Sequence, residues 1–447
     1  MTTLLLTDFL EYVRVRDPDQ PEFLQAVRDV MTSIWPFVTA NPRYAENGLL
    51  SRIVEAERVI QFRVPWIDDR GHTQVNRAWR VQHSSAIGPF KGGMRFHPNV
   101  NLSVLKFLAF EQTLKNALTT IPIGGGKGGA DFDPKGKSEI EIMRFCQALA
   151  LELHRHLGPQ TDVPAGDIGV GFREVGYLSG MIKKLTNNGS AYFTGKSLSH
   201  GGSLIRPEAT GYGVVYFVEE MLEHRKHSLE GLRVSVSGSG NVAQYAAEKA
   251  IQLGAQLITL SDSGGTVHDA NGFSNEKLAA LMEFKNQRRG RLSDFATQHG
   301  INFLEGRRPW HIPTDVALPC AVQNELNLDD ARQLIENGVL CVTEGANKPC
   351  TAEAVAALRA AGTLFAPSKA SNAGGVATSG LEMAQNAMLL NWPRDEVDKR
   401  LRTIMSGIHD LCVRYGQQTD GVVSYVDGAN IAGFARVADA MLAQGVC

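Results

Sequence analysis

The sequence predicts an α/β protein of two parts. Strand and helix patterns follow one another without a regular order up to about residue 200, whereas they alternate regularly beyond it. A stretch rich in glycine and serine, residues 195–206, lies between these parts, as expected of a hinge between domains. The length of 447 residues is consistent with two or three domains.

The N-terminal part is predicted to combine helices with a pair of strands. Helical spacing is present at 21–40 and 101–118. Between these helices, apolar and polar residues alternate over 60–66, and the sequence DDRG then supplies a turn, which is typical of paired strands. A further helix is predicted to begin at Ser138, which is spaced from Glu141 as in a capping box.

The later part shows short strand-like runs that are separated by helical patterns. The first run, at 232–236, leads directly into a glycine turn and an alanine-rich helix. Further strands are predicted at 256–262, 314–319, 338–344 and 362–367. Strands that alternate with helices indicate a parallel, doubly wound sheet.

The glycine turn after the first of these strands has the pattern G-x-G-x-x-A, with Gly238, Gly240 and Ala243. Alone this pattern is weak, and an ordinary strand-to-helix turn is the alternative. Here it follows a strand and opens a helix, and Asp262 ends the next strand, as a dinucleotide fingerprint requires. The second glycine lets backbone N–H groups approach a pyrophosphate at the helix N-terminus. We therefore predict a Rossmann-like dinucleotide domain, preceded by an α/β domain with a mixed sheet.

The residues alone do not decide between NAD and NADP. An acid such as Asp262 at the end of the second strand usually binds the ribose hydroxyls of NAD and repels a 2′-phosphate. Ser263 follows it, however, and the basic run at 285–291 lies one helix further on. Those cations either hold a phosphate or form a solvated helix face, so both cofactors stay open.

The segment IPIGGGKGGADFDPKG, residues 121–136, surrounds Lys127 with glycines. A phosphate-binding P-loop is excluded, because Ile121 occupies the place of its first glycine and Gly128 the place of its serine or threonine. Two interpretations remain: a mobile surface loop, or a lysine held where a substrate must come very close.

Other polar residues of this half suit a small dianion. Lys91 lies beside two glycines, and Gln112 and Lys115 project from one face of the 101–118 helix. A single lysine is more often a solvated surface charge, but glycines around two of the three lysines weaken that alternative. Asp167, in a glycine-rich turn, is a candidate proton donor or acceptor.

Composition and charge argue against several classes of partner. The formal net charge is −2, so no overall field draws the chain to nucleic acid or anionic lipid. The basic run at 288–291 lacks interleaved aromatic residues, and His154 and His156 do not share a helical face, so neither nucleic-acid nor metal binding is predicted. The N-terminal residues lack the basic segment and cleavage pattern of a signal peptide, and no apolar run is long enough to span a bilayer.

The cysteines are scattered and form no C-x-x-C pair. This distribution argues against a zinc site and a disulfide framework and suits a reducing cytosol, so a cytoplasmic protein is predicted. The six residues are Cys146, Cys320, Cys341, Cys350, Cys412 and Cys447.

Seven segments together resemble one family. They are PFKGGMRFHP, PIGGGKGGADFDPKG, VPAGDIGVG, GGSLIRPEATGYG, SGSGNVAQ, NAGGVATSGLEMAQN and GANIAGF, and they extend from end to end of the chain. They are similar to the hexameric, NADP-dependent glutamate dehydrogenases of bacterial and fungal type. That group lies within a superfamily whose other members act on leucine, valine or phenylalanine.

The resemblance implies a role for each candidate residue of the substrate site. Lys127 matches the catalytic lysine, and Asp167 matches the catalytic aspartate. Lys91 and Ser379 match the residues that hold the side-chain carboxylate of glutamate. The other substrate positions implied are Gln112 and Lys115, which match the residues that hold the α-carboxylate, with Gly92, Gly166 and Arg206.

The resemblance also implies NADP as the cofactor. The NADP-dependent members keep an acid before a serine at the second strand. They meet the 2′-phosphate with that serine and with basic residues further on, which match Ser263, Lys285 and Arg288. Thr210 and Asn241 match residues near the nicotinamide. The other cofactor positions implied are Gly238, Ser239, Gly240, Val242, Asp262, Asn347 and Asn372.

The reaction implied is the reversible reductive amination of 2-oxoglutarate with ammonium and NADPH to L-glutamate. Lys127 is expected to polarise the carbonyl and Asp167 to transfer protons. The expected organisation is a substrate-binding and oligomerisation domain at 1–200, completed by a returning helix at 428–447, and an NADP-binding domain at 201–427. A homohexamer is expected from the same resemblance.

Two other functions are weighed against this one. A dehydrogenase for leucine, valine or phenylalanine needs an apolar pocket, and Lys91 argues against it because a buried lysine without a carboxylate partner is costly. A non-catalytic dinucleotide sensor is opposed by the intact Lys127 and Asp167. One departure from the family pattern is Phe172, which stands close to Asp167 where a small residue is expected.

Overall fold

The computed structural model describes residues 5–189, 191–419 and 421–446, so the first four residues, Ser190, Asp420 and Cys447 lie outside it. The chain forms two compact units. The first consists of Met1–Leu204, Val376–Val397 and Asn430–Cys447, and the second consists of Ile205–Gly375 and Asp398–Ala429. No helix among the described residues is both long and apolar enough to cross a membrane.

A five-stranded sheet organises the first unit. Its strands are β1 (Arg58–Ile67), β2 (Thr73–Ser84), β3 (Phe90–Phe96), β4 (Gly125–Ala130) and β5 (Asp162–Gly166). The order is β1-β2-β4-β3-β5. The β1–β2 and β2–β4 pairs are antiparallel, whereas β3 runs parallel to both β4 and β5. The predicted mixed sheet and strand pair are therefore confirmed.

The three predicted helices, at 21–40, at 101–118 and from Ser138, are present among the six α-helices of the described N-terminal segment. These six helices are α1 (Leu6–Arg16), α2 (Pro21–Ala40), α3 (Leu49–Val54), α4 (Leu102–Leu118), α5 (Glu139–Leu153) and α6 (Phe172–Thr186). The capping box is confirmed: Ser138 Oγ accepts the backbone N–H of Glu141 at 3.1 Å, and the Glu141 carboxylate accepts that of Ser138 at 3.0 Å. Short 3-10 turns occupy Pro42–Ala45 and Leu198–His200.

The glycine-rich segment around Lys127 is a buried strand, β4. All six of its residues are buried, and the backbone of α4 packs directly on it. A Cβ atom on Gly125 would lie 1.8 Å from Oγ1 of Thr113 and 2.5 Å from its Cα. A Cβ on Gly92, in the neighbouring β3, would lie 1.6 Å from the carbonyl oxygen of Gly126. The glycines therefore allow backbones to approach at distances that side chains would prevent.

The second unit is built on a seven-stranded sheet. Its strands are β6 (Arg233–Val236), β7 (Gln256–Asp262), β8 (Gly265–His268), β9 (Asn302–Glu305), β10 (Val316–Leu318), β11 (Cys341–Thr343) and β12 (Leu364–Ala366). The order is β12-β11-β10-β6-β7-β8-β9. The first five strands of this order are parallel, as predicted. The last two are antiparallel and were not predicted.

The order of this sheet creates a switch point between β6 and β10, because the chain leaves β6 towards β7 on one side and later returns to β10 on the other. In open α/β sheets, ligands bind beyond the carboxyl ends of the strands at such a point. The helices before, between and after these strands are α7 (Ala209–His224), α8 (Asn241–Gln252), α9 (Asn275–Asn286), α10 (Leu292–His299), α11 (Leu328–Glu336), α12 (Ala352–Ala360) and α13 (Ser368–Ser371), with a 3-10 turn at Pro309–His311.

Three long helices complete the chain. They are α14 (Gly374–Met388), α15 (Arg394–Gly416) and α16 (Tyr425–Gln444), and a boundary between the two units falls inside each. The last helix closes the core of the first unit. Its Phe434, Val437 and Met441 belong to one buried apolar cluster with residues of α1 to α4, among them Phe23 and Phe110.

Candidate active site

Lys127 and Asp167 are in direct contact in the first unit. Lys127 lies in β4, and Asp167 follows β5 directly. Nζ of Lys127 donates a hydrogen bond to Oδ1 of Asp167 at 2.7 Å. Only 4% of Lys127 is exposed, so its ammonium group is held away from bulk water. A mobile surface loop is thereby excluded as the interpretation of the glycine-rich segment.

Arg95 is a third member of this cluster, and the sequence analysis did not single it out. Its Nε atom donates to Oδ2 of Asp167 at 2.6 Å. The strand register explains the contact. Met94 of β3 pairs with both Gly128 and Gly166, so Lys127 lies beside Gly93 and Asp167 beside Arg95. Alternate residues of a strand share a face, and the three polar side chains therefore meet on one face of the sheet.

Burial and the neighbouring charges shift the pKa values of Lys127 and Asp167. Burial lowers the pKa of Lys127, and the positive charges of Arg95 and Arg80 lower it further, against the opposing effect of Asp167. Burial alone raises the pKa of Asp167, but the charges and hydrogen bonds of Lys127 and Arg95 outweigh it and hold that pKa well below its usual range. The aspartate is thus ionised, and the lysine loses its proton more readily than an ordinary lysine.

A buried ion pair lies beneath this cluster. Arg80 of β2 and Asp162 of β5 are both fully buried, and Nε of Arg80 donates to Oδ2 of Asp162 at 2.9 Å. The same guanidinium donates to the carbonyl oxygen of Gly92 at 3.0 Å. Arg80 therefore ties β2 to Asp162 of β5 and to Gly92 of β3. These contacts fix the backbone that carries Lys91 and Asp167.

Lys91 lies in β3 with 1% of its surface exposed. Helix α4 faces the same strand, because the side-chain amide of Asn116 donates to the carbonyl oxygen of Lys91 at 3.0 Å. Gln112 lies against both groups. Its Nε2 donates a hydrogen bond to Oδ1 of Asn116 at 2.7 Å, and its Cγ lies 3.4 Å from the position of a Cβ on Gly92. Lys91, Gly92 and Gln112 are therefore neighbours, and Lys115 is one turn along from Gln112 on α4.

Ser379 is buried in α14, within the part of that helix that belongs to the first unit. The helix is fastened by Glu382, which accepts Nζ of Lys196 at 2.7 Å and the backbone N–H of Gly195 at 2.9 Å. Gly380, next to Ser379, packs against Ile121 at the start of the glycine-rich segment. This contact places Ser379 near the segment that contains Lys127.

Phe172 does not disturb the turn that carries Asp167. It is the first residue of α6, and about half of it is exposed. The turn keeps its hydrogen bonds: the N–H of Val170 donates to the carbonyl oxygen of Asp167 at 2.9 Å, and that of Gly171 donates to Glu174 at 2.8 Å. An open cavity of about 480 Å³ adjoins Asp167. Its charged lining residues are Lys135, Asp167, Arg173 and Glu174.

The glycine turn of the second unit lies at the switch point of its sheet. Gly238 lies two residues after the end of β6 and has φ +84°, a conformation that favours glycine. Its N–H donates to Oγ of Ser261 at 2.8 Å, which ties the turn to β7. Gly240 precedes the first residue of α8, Asn241, and a Cβ there would meet nothing within 4 Å. Open space in front of a helix N-terminus fits a pyrophosphate.

The carboxylate of Asp262 is engaged by groups of its own chain. Its carboxylate accepts the backbone N–H groups of Gly264 at 2.8 Å and Leu292 at 3.0 Å, and Nζ of Lys285 lies 3.4 Å away. Burial raises the pKa of this acid, but those hydrogen bonds and the lysine prevail and lower it. The acid is therefore occupied by groups of its own chain, which the simple rule for NAD does not anticipate.

Arg291, rather than Arg288, joins this cluster. Its Nη1 donates to Oγ of Ser263 at 2.7 Å. Arg288 is mostly exposed and lies 3.6 Å from Glu283. The sequence indicates the basic run at 285–291. Which of its arginines contacts Ser263 depends on where α9 ends and on the turn that follows it.

Glu344 is a residue of the second unit that the sequence analysis missed. It follows β11 and is buried, and burial raises its pKa to about 7 against the opposing effect of its hydrogen-bond donors. It accepts the backbone N–H of Ser368 at 2.7 Å and that of Cys350 at 3.3 Å. Glu344 thus joins the loop that carries Asn347 to the start of α13.

The remaining predicted residues lie at the ends of helices. Asn372, after α13, donates to the carbonyl oxygen of Gly345. Arg206 and Thr210 converge near the start of α14, since a Cβ on Gly375 would lie 3.7 Å from the first and 2.6 Å from the second. The cofactor positions Ser239 and Val242 lie in the glycine turn and in the first turn of α8.

No group of histidine, cysteine or acidic residues within the described part of the chain is arranged to hold a metal ion. The cysteines that the structure describes are buried and unbridged. Cys447 lies outside these residues.

Comparison with known proteins agrees with this arrangement. The family model for Glutamate/Leucine/Phenylalanine/Valine dehydrogenase matches residues 201–445. The chain belongs to this family. A second model, for the dimerisation domain of Glu/Leu/Phe/Val dehydrogenases, matches residues 56–184.

Relatives within the Glutamate/Leucine/Phenylalanine/Valine dehydrogenase family are similar over their full length. The NADP-specific glutamate dehydrogenase of Escherichia coli is 66% identical over 99% of both chains. A glutamate dehydrogenase structure from Plasmodium falciparum superposes with a TM-score of 0.96 at 47% identity, covering 99% of this chain and 94% of its own. A hetero-hexameric glutamate dehydrogenase from Thermus thermophilus gives 0.78 at 28% identity, covering 89% and 92%.

Proposed function

We propose that this protein is an NADP-dependent glutamate dehydrogenase, which converts 2-oxoglutarate and ammonium reversibly to L-glutamate. The observation that carries the proposal is the buried pair of Lys127 and Asp167, with 2.7 Å between Nζ and Oδ1. The 66% identity to an NADP-specific glutamate dehydrogenase over 99% of both chains supports the same activity.

The chemistry follows from the charges of this pair. Ammonia attacks the keto carbon of 2-oxoglutarate, the adduct loses water, and the resulting imine accepts a hydride. Lys127 donates a hydrogen bond to the ketone oxygen, stabilises the negative charge that develops there and transfers its proton to it, so that the adduct carries a hydroxyl group. Asp167, which is ionised, accepts a proton from the attacking nitrogen and returns it to the departing hydroxyl group. NADPH, when bound, supplies the hydride.

Substrate selection is assigned to the buried cations of the first unit. Lys91 and Ser379 hold the side-chain carboxylate, and Gln112 and Lys115 hold the α-carboxylate, with Gly92 and Gly166 giving room for close approach. Lys91 is 1% exposed, and its positive charge supports glutamate over an apolar substrate, because a cation binds a carboxylate through a charge-assisted hydrogen bond. Arg206, of the second unit, is assigned to the substrate on the resemblance alone.

NADP is assigned to the second unit. The open helix N-terminus at Gly240 receives the pyrophosphate, and Thr210 and Asn241 are assigned to the neighbourhood of the nicotinamide. Asn347 and Asn372 are assigned to the cofactor without a more specific role. Ser263, Lys285 and Arg291 receive the 2′-phosphate. The Asp262 carboxylate stays ionised, but its oxygens accept hydrogen bonds from Gly264 and Leu292, and Lys285 lies beside it.

The first unit is proposed as the substrate-binding and oligomerisation domain, and the second as the NADP-binding domain. We further propose a homohexamer in the cytoplasm. The dimerisation-domain match over residues 56–184 and the hexameric relative from Thermus thermophilus support the assembly.

One assay tests the activity. Purified protein is mixed with NADPH, 2-oxoglutarate and ammonium, and oxidation of NADPH is followed at ~340 nm; the same mixture with NADH tests the cofactor. We expect rapid oxidation of NADPH, with omission of ammonium as the control. A protein that binds NADPH but leaves its absorbance unchanged would be a dinucleotide sensor, and the enzyme proposal would be abandoned.

A further inference from the structure

We propose that Arg95 is a positioning residue, which holds one oxygen of the Asp167 carboxylate so that the other is presented to Lys127. The inference rests on the proposed roles of Lys127 and Asp167 and adds a third residue to them. It is carried by two contacts on one carboxylate, 2.6 Å from Nε of Arg95 to Oδ2 and 2.7 Å from Nζ of Lys127 to Oδ1.

The geometry leaves Asp167 little freedom. Arg95 is fixed in β3, where its neighbour Met94 pairs with β4 on one side and β5 on the other. The backbone of Asp167 is tied by the N–H of Val170, and a Cβ on Gly93 would lie 2.8 Å from the Cβ of Asp167. The side chain of Asp167 therefore packs directly on the backbone of Gly93 in β3, and the contact with Arg95 sets the orientation of its carboxylate.

The positive charge of Arg95 also acts on the protonation of both Asp167 and Lys127. A positive charge at Arg95 favours the ionised carboxylate of Asp167 and disfavours the ammonium form of Lys127, so it lowers both pKa values. Removal of Arg95 raises both pKa values. The loss also leaves the carboxylate less neutralised, which strengthens its hold on the proton of Lys127 and acts in the same direction.

Other charged groups face the cluster and stay in place when Arg95 is changed. Arg80 lowers the pKa of Lys127 but is engaged with Asp162. Lys135, Arg173 and Glu174 line the cavity next to Asp167, and Arg173 pairs with Glu174 at 2.6 Å. A shift that follows substitution of Arg95 is therefore attributable to that residue.

The test measures the protonation of Lys127 without using activity. The intact protein is labelled briefly with acetic anhydride between about pH 6 and pH 11, and acetylation of Lys127 is read by peptide mass spectrometry, with exposed Lys226 as internal reference. In Arg95→Gln we expect the midpoint for Lys127 to move to higher pH by about one unit. Arg95→Lys, which keeps the charge, restores most of the wild-type midpoint. Arg63→Gln, an exposed arginine of β1, is the matched control and leaves it unchanged.

The same variants are assayed for NADPH oxidation across pH. In Arg95→Gln, every change of rate with pH that reflects titration of Lys127 or Asp167 is expected to move to higher pH. A residue with only a structural role would lower the rate without shifting its pH dependence. Arg95→Met, of similar length and without charge, replaces Arg95→Gln if that variant does not fold. An unchanged midpoint in Arg95→Gln, or equal shifts in the Gln and Lys variants, would overturn the inference. An inactive wild type that still shows the shift would instead retire the proposed function and leave the inference standing.

Discussion

At the scale of single residues, buried charge marks the site. Lysines are usually exposed, yet Lys91 and Lys127 are both buried in the first unit. The sequence indicated both through their glycine neighbours, together with Asp167. It did not indicate Arg95, because that contact depends on which residues of β3 and β5 lie side by side, and strand register is not visible in an isolated segment.

Replacement of Lys91 by leucine tests its role in substrate selection. In Lys91→Leu the catalytic efficiency for glutamate should fall about 10- to 100-fold, because a charge-assisted hydrogen bond to the side-chain carboxylate is lost. Efficiency for norvaline, which has no such carboxylate, should fall much less. Steady-state rates with both amino acids measure the difference, and Lys183→Leu, at an exposed position of α6, is the control. Equal losses on the two substrates would remove Lys91 from the specificity account.

Arg291 and Arg288 offer a matched pair for the cofactor. In Arg291→Ala the KM for NADPH should rise about tenfold or more, because a charged donor to the 2′-phosphate is removed. The KM for NADH should stay close to that of wild type. Arg288→Ala should have a smaller effect, since that arginine faces Glu283. Titration of initial rates with each cofactor measures these values, and a larger effect at Arg288 would contradict the assignment of Arg291.

At the scale of elements, regular helices were predictable and the central strand was not. Periodic apolar residues gave α2 and α4, and alternation gave β1. Glycine is depleted in strands, so nothing in GGKGGA favours β4 except its place beneath α4, which is a tertiary effect. Strands β8 and β9 were missed because each has only four residues, too few to show a period.

A methyl group on the central strand should be far more damaging than one on a helix surface. Gly125→Ala places a Cβ against Thr113 of α4, so helix and strand must separate; we expect at least about 2 kcal/mol of lost stability. Gly180→Ala, in the exposed middle of α6 where nothing lies within 4 Å, should gain about 0.5–1 kcal/mol. Thermal unfolding followed by circular dichroism compares the two. Similar melting temperatures would mean that α4 adjusts freely over β4.

At the scale of the whole molecule, the expected homohexamer follows only from the family resemblance and not from the residues themselves. Each unit contains segments that are far apart in the chain, such as α16 with α1 to α4 in the first core. The returning helix at 428–447 was expected only from the resemblance, because the core that it closes is decided by contacts between distant residues.

The proposed homohexamer predicts a mass about six times that of the 48.6 kDa chain. Sedimentation velocity over a hundredfold range of protein concentration measures it. A constant hexamer mass is expected, because identical subunits related by closed symmetry leave no interface open for further association. A mass near one or two chains at all concentrations would contradict the assembly.

The placement of unit boundaries restricts how this protein can be recombined with its relatives. Three of the four boundaries fall within α14, α15 and α16, and one falls in the connection at Leu204–Ile205. A chimera that imports a foreign cofactor unit therefore needs four splice sites, and three of them must join helices in phase. A single crossover at the connection would exchange α14 and α16 as well, and would pair a native N-terminal core with a foreign closing helix.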